Sequence, residues 1–226
     1  MFRERWYRFF ESESLLAQTL PTPKMFYFDL GNVLLNFSRA TAFRQMSEVS
    51  GVPVNRIREI LEDGQLQVRY ESGELNSRQC CELFCQQSGV QTDCDSLLEA
   101  GSDMFRLNVG VVPIILQLAL ARHRLGVLSN TCEAHWQHCL QKRFGVLQSV
   151  FEIHILSYEV KAMKPDEKIY AAAAEAARLL PQEIFFIDDM DENIEAARRF
   201  GFDAVQYQSP RQVEEDLRKR GVCFNY

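Results

Sequence analysis

Asp29 stands next to last in the apolar run "MFYFDL", and Gly31 comes two residues after it. Ser129 ends a second run, "RLGVLS", and Asp188 ends another, "EIFFID", with Asp189, Asp191 and Asn193 close behind. Lys164 lies in "VKAMKPDEKIY", just ahead of a helical pattern. A buried carboxylate is costly unless something pairs with it, so these groups ask for one another. Their types suit transfer of a phosphoryl group from a monoester. A carboxylate can attack phosphorus and form an aspartyl-phosphate. A divalent cation must then lie between that anion and the phosphoryl oxygens. Mg2+ prefers carboxylates, carbonyls and water, which Asp29 and the 188–193 loop supply. Lys164 adds a compact cation, and the Ser129 hydroxyl with nearby backbone N–H groups completes a phosphate cradle.

Taken singly, each residue has a plainer use. Many apolar strands end in Asp, Ser129 suits a turn or helix cap, and a lysine before proline is commonly a solvated loop residue. The adjacent pair Asp188–Asp189 is harder to dismiss, because like charges repel unless a cation lies between them. The order of the set carries more than any member. It differs from a response-regulator receiver, where an acidic pair comes first and the phosphorylated Asp sits mid-chain.

Parallel strands would bring such ends together. Short apolar runs at 25–30, 124–129, 150–156, 183–188 and 203–207 alternate with longer helical patterns, the signature of an α/β fold with a parallel, Rossmann-like sheet. "DEKIYAAAAEAARLL" and "DENIEAARRFG" read as crossover helices. The first two runs are more than 90 residues apart, and that interval is not structureless. "RATAFRQMSEVSG", "VNRIREILEDG", "SRQCCELFCQQSG" and "CDSLLEAGSDMF" are helical patterns with turn glycines at Gly51, Gly64, Gly73 and Gly89. The expected organisation is an N-terminal arm (1–24), an α/β core (25–39 and 108–226) and an all-helical cap (40–107) inserted after the first strand. In open parallel sheets ligands bind at the C-terminal ends of the strands, so such an insert is placed to act as a lid.

Composition excludes several classes. A formal net charge of −6 argues against a nucleic-acid surface, which needs clustered Lys and Arg. No stretch approaches the roughly 18 apolar residues of a membrane span. The seven cysteines make no C-x-x-C pairs or zinc spacings, and read as reduced thiols of a cytoplasmic protein. The N-terminal "MFRERWYRFFESESLLAQTLPTPK" lacks the continuous apolar stretch of a secretory signal. A small phosphorylated metabolite is the expected partner.

The motifs "FDLGNVLL", "VLSNT", "SYEVKAMKPDEKIY" and "FFIDDMDENIEAARRFGF", over about 25–208, resemble those of haloacid-dehalogenase-superfamily hydrolases with a helical cap. "FDLGNV", "LSNT" with His135, and "YESGELN" are similar to the branch containing bacterial α-D-glucose-1-phosphate phosphatases. The resemblance implies a Mg2+-dependent phosphatase acting on a small phosphomonoester, possible substrates including a sugar 1-phosphate. By it Asp29 is the nucleophile; the Gly31 carbonyl, Asp189 and Asp29 hold Mg2+; and Asp188 and Asn193 support that loop, Asp188 counting with the metal set. Ser129 and Lys164 bind the phosphoryl group, with Asn130, Gly31 and His135 beside the substrate.

Gly31 departs from the pattern. Most phosphatases of this superfamily carry a second Asp there, which protonates the leaving oxygen and later activates water. A positioned acid–base is worth about 10²–10⁴-fold. Substrates that leave easily, such as anomeric sugar phosphates or acyl phosphates, would need it least. Alternatively Tyr70, Glu71, Glu74 or His135 supplies the proton, and "YESGELN" (70–76) is the expected cap tip approaching the core. Two other readings stay open. A haloacid dehalogenase needs no acid, but neither does it need a metal or an acidic pair. A non-catalytic phosphate-binding module would keep the cradle and lose turnover.

Overall fold

The computed structural model describes residues 22–141 and 144–224, so the expected arm at 1–24 lies outside the described residues up to residue 21. Its strands are β1 (Met25–Phe28), β2 (Leu35–Asn36), β3 (Arg106–Leu107), β4 (Arg124–Ser129), β5 (Ile153–Leu156), β6 (Ile184–Asp188) and β7 (Asp203–Gln206). Five of them form one parallel sheet in the order β5-β4-β1-β6-β7. All four residues of β1 are buried, because a central parallel strand is covered on both faces and so reads as a continuous apolar run. The direction of winding reverses at β1, which opens a crevice at the C-terminal ends of β1, β4 and β6. The Asp29 N–H donates to the Ile187 carbonyl at 2.8 Å. That bond continues the β1–β6 register and sets Asp29 beside Asp188.

Between β2 and β3 the chain makes α1 (Arg39–Ser50), α2 (Val54–Arg58) running on into a π-helical turn (Glu59–Asp63), α3 (Leu66–Glu71), α4 (Ser77–Ser88) and α5 (Cys94–Ser102). The ribbon at the neck of this excursion is new. Leu35 pairs with Leu107 and Asn36 with Arg106, and two-residue strands are too short to show a period in sequence. The α4 start was legible: the Asn76 side chain accepts the Gln79 N–H while the Gln79 side chain accepts the Asn76 N–H, a capping box. At Gly73 the backbone is left-handed (φ 72°), and a Cβ would fall 2.1 Å from the Tyr158 carbonyl oxygen. Only glycine lets the tip of the helical excursion rest its backbone on the body there.

The body is completed by α6 (Val112–Leu120), α7 (Glu133–Gln141), α8 (Gly145–Val150), α9 (Ser157–Val160), α10 (Glu167–Ala177), α11 (Asp191–Phe200) and α12 (Pro210–Arg218). The two expected crossover helices are α10 and α11. The run expected as a strand from residue 150 begins at Ile153, since Val150 closes α8. Alternation along β1 feeds two apolar clusters. Met25 and Tyr27 pack with Ile169, Tyr170 and Ile194. Phe26 and Phe28 belong to a larger cluster that continues through Phe43, Phe84 and Leu97 of the helical excursion.

The cysteine reading is corrected. Cys81 of α4 and Cys94 of α5 form a disulfide, and the other five cysteines are free. Their spacing in sequence carries no sign of it; packing of α4 on α5 brings their Cα atoms to 5.7 Å, within bridging reach. The bond removes the thiol argument for a reducing compartment. Among the described residues no helix is long and apolar enough to cross a membrane.

Candidate active site

Lys164 is buried, and its Nζ lies 2.8 Å from Asp29 Oδ1, 3.1 Å from the Leu128 carbonyl oxygen, and in contact with Asp188 Oδ2. Three chain segments far apart in sequence thus meet on one ammonium. Burial works against its charge, yet Asp29 and Asp188 outweigh that and hold it above the usual lysine range. Burial also pushes Asp29 up to about 7; Asp188 adds to the rise, and Lys164 and the Ser129 hydroxyl oppose it. One lysine does not neutralise this corner.

Asp189 adds a third carboxylate. Oxygens of Asp29, Asp188 and Asp189 lie within 4.8 Å of one another. Such a set of hard anionic oxygens fits Mg2+. The three differ in freedom. Asp188 is fully buried, and its oxygens accept from the Met190 N–H, from the Asn193 amide twice, and from Lys164. It does not reach the cavity, whereas Asp29 and Asp189 line it. Asp189 is held by Asn32, whose side-chain N–H donates at 2.8 Å, and by Gln206, which donates to its carbonyl at 2.9 Å. Neither Asn32 nor Gln206 was foreseen. The "GN" after Asp29 was a possible signal, because Asn tolerates the left-handed backbone found here (φ 55°).

The cavity above these groups has a volume of about 660 Å³. Gly31, Ser129, Asn130, His135 and Lys164 also line it, so the sequence-predicted residues converge, with Asp188 behind them. Asn130 is engaged differently from expectation. Its amide donates to the Lys164 carbonyl at 2.9 Å and accepts the Lys164 N–H at 2.7 Å, clamping the lysine loop to the end of β4. His135 packs edge-on against Phe105 at 5.3 Å between ring centroids. Burial, then His138 and Arg39, lower it to about 4, so it is a neutral wall at pH 7.

The four candidate proton donors separate. The Tyr70 hydroxyl takes the Ala134 N–H at 3.0 Å and bonds Ser77 Oγ at 2.7 Å, and burial raises its pKa further. Glu74 is exposed and paired with Arg69 at 2.6 Å. Glu71 lines the cavity, and burial raises its pKa against the opposing Gln67 amide and Arg39 charge. Its backbone is tied to the body: Ser157 Oγ donates to the Glu71 carbonyl at 2.6 Å and receives the Thr131 N–H at 2.9 Å.

The profile of the haloacid dehalogenase-like hydrolases matches residues 23–201. The chain belongs to that family. A glyceraldehyde 3-phosphate phosphatase of Methanopyrus kandleri is 30% identical over 98 residues, 42% of this chain and 41% of that protein. The match therefore spans less than half of that relative. A haloacid-dehalogenase-family enzyme of Bacteroides thetaiotaomicron, solved with magnesium and inorganic phosphate, aligns with TM-score 0.74 and 24% identity, covering 83% of this chain and 95% of that one. L-2-haloacid dehalogenase of Xanthobacter autotrophicus aligns with TM-score 0.59 and 18% identity over 86% and 82%. At these identities the structural likeness is one of fold.

For a hydrolase of this family, the backbone at Gly31 matters. Gly31 is not in the left-handed region. A Cβ there would meet the Phe37 ring at 3.1 Å and Asp29 Oδ2 at 3.8 Å. The obstacle to a side chain is thus one ring edge, not the main chain.

Proposed function

We propose that this hydrolase is a Mg2+-dependent phosphatase that transfers the phosphoryl group of a small phosphomonoester to Asp29 and then to water. The observation that carries the reading is the meeting of Asp29 and Asp188 on a single buried ammonium, with Asp189 bringing a third carboxylate within 4.8 Å of both. Asp29 Oδ2 attacks phosphorus from the floor of the cavity, the leaving oxygen departs on the opposite side, and the aspartyl-phosphate is hydrolysed. Lys164 and the Ser129 hydroxyl hold the phosphoryl oxygens. Mg2+, held by Asp29, Asp189 and the Gly31 carbonyl, would neutralise the charge that otherwise separates one anion from another. Asp188 and Asn193 orient Lys164 and the loop that carries Asp189. The helical segment 40–107 acts as the cap, and its Glu71 gives the leaving oxygen a proton in place of the acid that Gly31 lacks.

The acidic pair speaks against a dehalogenase, whose departing halide needs no cation beside it. A sugar 1-phosphate suits a weak acid, because its anomeric oxygen leaves easily, but its hydroxyls would face an apolar wall. The test is phosphate release from acetyl phosphate, p-nitrophenyl phosphate, glucose 1-phosphate and glucose 6-phosphate, with and without Mg2+. Release that requires Mg2+, slowest on the 6-phosphate, is expected. No release from any of the four would leave a phosphate-binding module instead.

A further inference from the structure

The cavity that holds Asp29, Ser129, Lys164 and Asp189 in its wall also has Phe43, Met46, Leu61, Phe84, Leu97 and Met104 in it, all contributed by the segment between β2 and β3. Each of these six is buried. Apart from Glu71 at the phosphate end, the polar side chains that the same segment adds to the wall are already engaged. Arg39 pairs with Glu62 at 3.2 Å, Gln65 donates to the Glu62 carbonyl, Gln67 donates to Glu71 at 2.7 Å, and Ser102 donates to the Leu98 carbonyl at 2.7 Å. Tyr70 is spent on Ser77 and Ala134. A polyhydroxylated body bound there would bury hydroxyls without partners, which is penalised heavily. A hydrocarbon body would instead trade water for apolar wall. The volume, about 660 Å³, lies within the range of sites that enclose a whole small molecule, roughly 300–1,000 Å³.

We propose, resting on the phosphatase reading for the phosphate end, that the site takes phosphomonoesters whose carbon body is apolar, an alkyl or aryl group lying among the cap side chains. The sugar 1-phosphate expectation is set aside on this ground. Gly101 marks the depth of the slot. It lines the cavity from α5, and a Cβ on it would stand 3.3 Å from Met46 Sδ. Its backbone is helical, so a larger side chain costs no strain in the main chain, and it would press on Met46, which also lines the cavity.

The test uses the full chain with Mg2+ and a series of n-alkylphosphonates from ethyl to octyl, read by calorimetry, alongside hydrolysis of the matching n-alkyl phosphates. The leaving alcohols have nearly equal acidity, so the series isolates binding of the tail. Affinity is expected to rise about fourfold per added methylene until the wall is met, and Gly101→Leu is expected to stop the rise at a shorter chain. Affinity that stays flat or falls from ethyl to octyl in the unaltered protein overturns the proposal. So does a higher kcat/KM for glucose 6-phosphate than for octyl phosphate, since both release a primary alcohol. If phosphonate affinity climbs while no ester is hydrolysed, the apolar site stands and the phosphatase reading falls. If esters are hydrolysed with no dependence on chain length, the reverse holds.

Discussion

Asn32 and Asp189 stand 157 residues apart in sequence and are joined by a hydrogen bond of 2.8 Å from the Asn32 amide to the Asp189 carboxylate. The bond ties the loop after the first strand to the loop after the fourth long one. It fixes which way Asp189 faces while its carboxylate borders the cavity. Asn32→Gly keeps the left-handed backbone (φ 55°) and removes only the amide. Mg2+ affinity measured by calorimetry should fall about tenfold, the usual scale for losing a group that orients a metal ligand. The thermal midpoint should hardly move. Unchanged Mg2+ affinity would mean that Asp189 is not a ligand, or is not oriented by Asn32.

Gly31→Asp should supply the acid that the proposed mechanism lacks two residues after Asp29. The main chain at Gly31 accepts a side chain, and only the Phe37 ring, 3.1 Å from the new Cβ, has to give. A gain of at least tenfold in kcat on glucose 6-phosphate is expected, within the roughly 10²–10⁴-fold range of general acid catalysis. The gain on acetyl phosphate, which leaves without help, should be much smaller. Equal gains on both would point to a change in binding rather than in proton transfer.

Glu71 gives a pH signature. Its carboxyl is raised mainly by burial, so the proton stays on to higher pH than in a solvated Glu. A proton donor must be protonated, hence kcat/KM on glucose 6-phosphate should fall as pH climbs through that raised value. Glu71→Gln should lower the rate about tenfold or more and abolish that descending limb. On acetyl phosphate neither effect is expected. A variant that keeps both the rate and the limb would remove Glu71 from the reaction.

The Cys81–Cys94 bond closes a short loop between α4 and α5. Cys94→Ser should lower the unfolding free energy by about 2–3 kcal/mol in a urea titration. Thiol counting on the denatured, unreduced protein should give five free cysteines. Seven would contradict the bond.

How much of this was legible follows from range. Asp29, Ser129 and Asp188 were readable because a buried parallel strand advertises itself as an apolar run, and the run's end is where its chemistry lies. Lys164 was readable as part of a motif, though not its grip on two carboxylates at once, which depends on how the loop after β5 folds back over β4. Asn130 was placed at the substrate, yet its amide is used up on the Lys164 main chain. Asn32 drew no reading from the sequence, because its partner is 157 residues away. The disulfide, the β2–β3 ribbon and α3 were missed for a related reason. Each is a short or non-local feature that tertiary packing selects among many that propensity would allow.

The central claim is that Asp29 becomes phosphorylated. Rapid acid quench during turnover of acetyl phosphate with Mg2+, followed by intact-protein mass and peptide mapping, reads it directly. The account predicts a mass gain of one phosphoryl group, carried by the peptide containing Asp29 and absent from Asp29→Asn, which should fold normally and release no phosphate. Turnover retained by Asp29→Asn, or a phosphoryl group on any other residue, would contradict it.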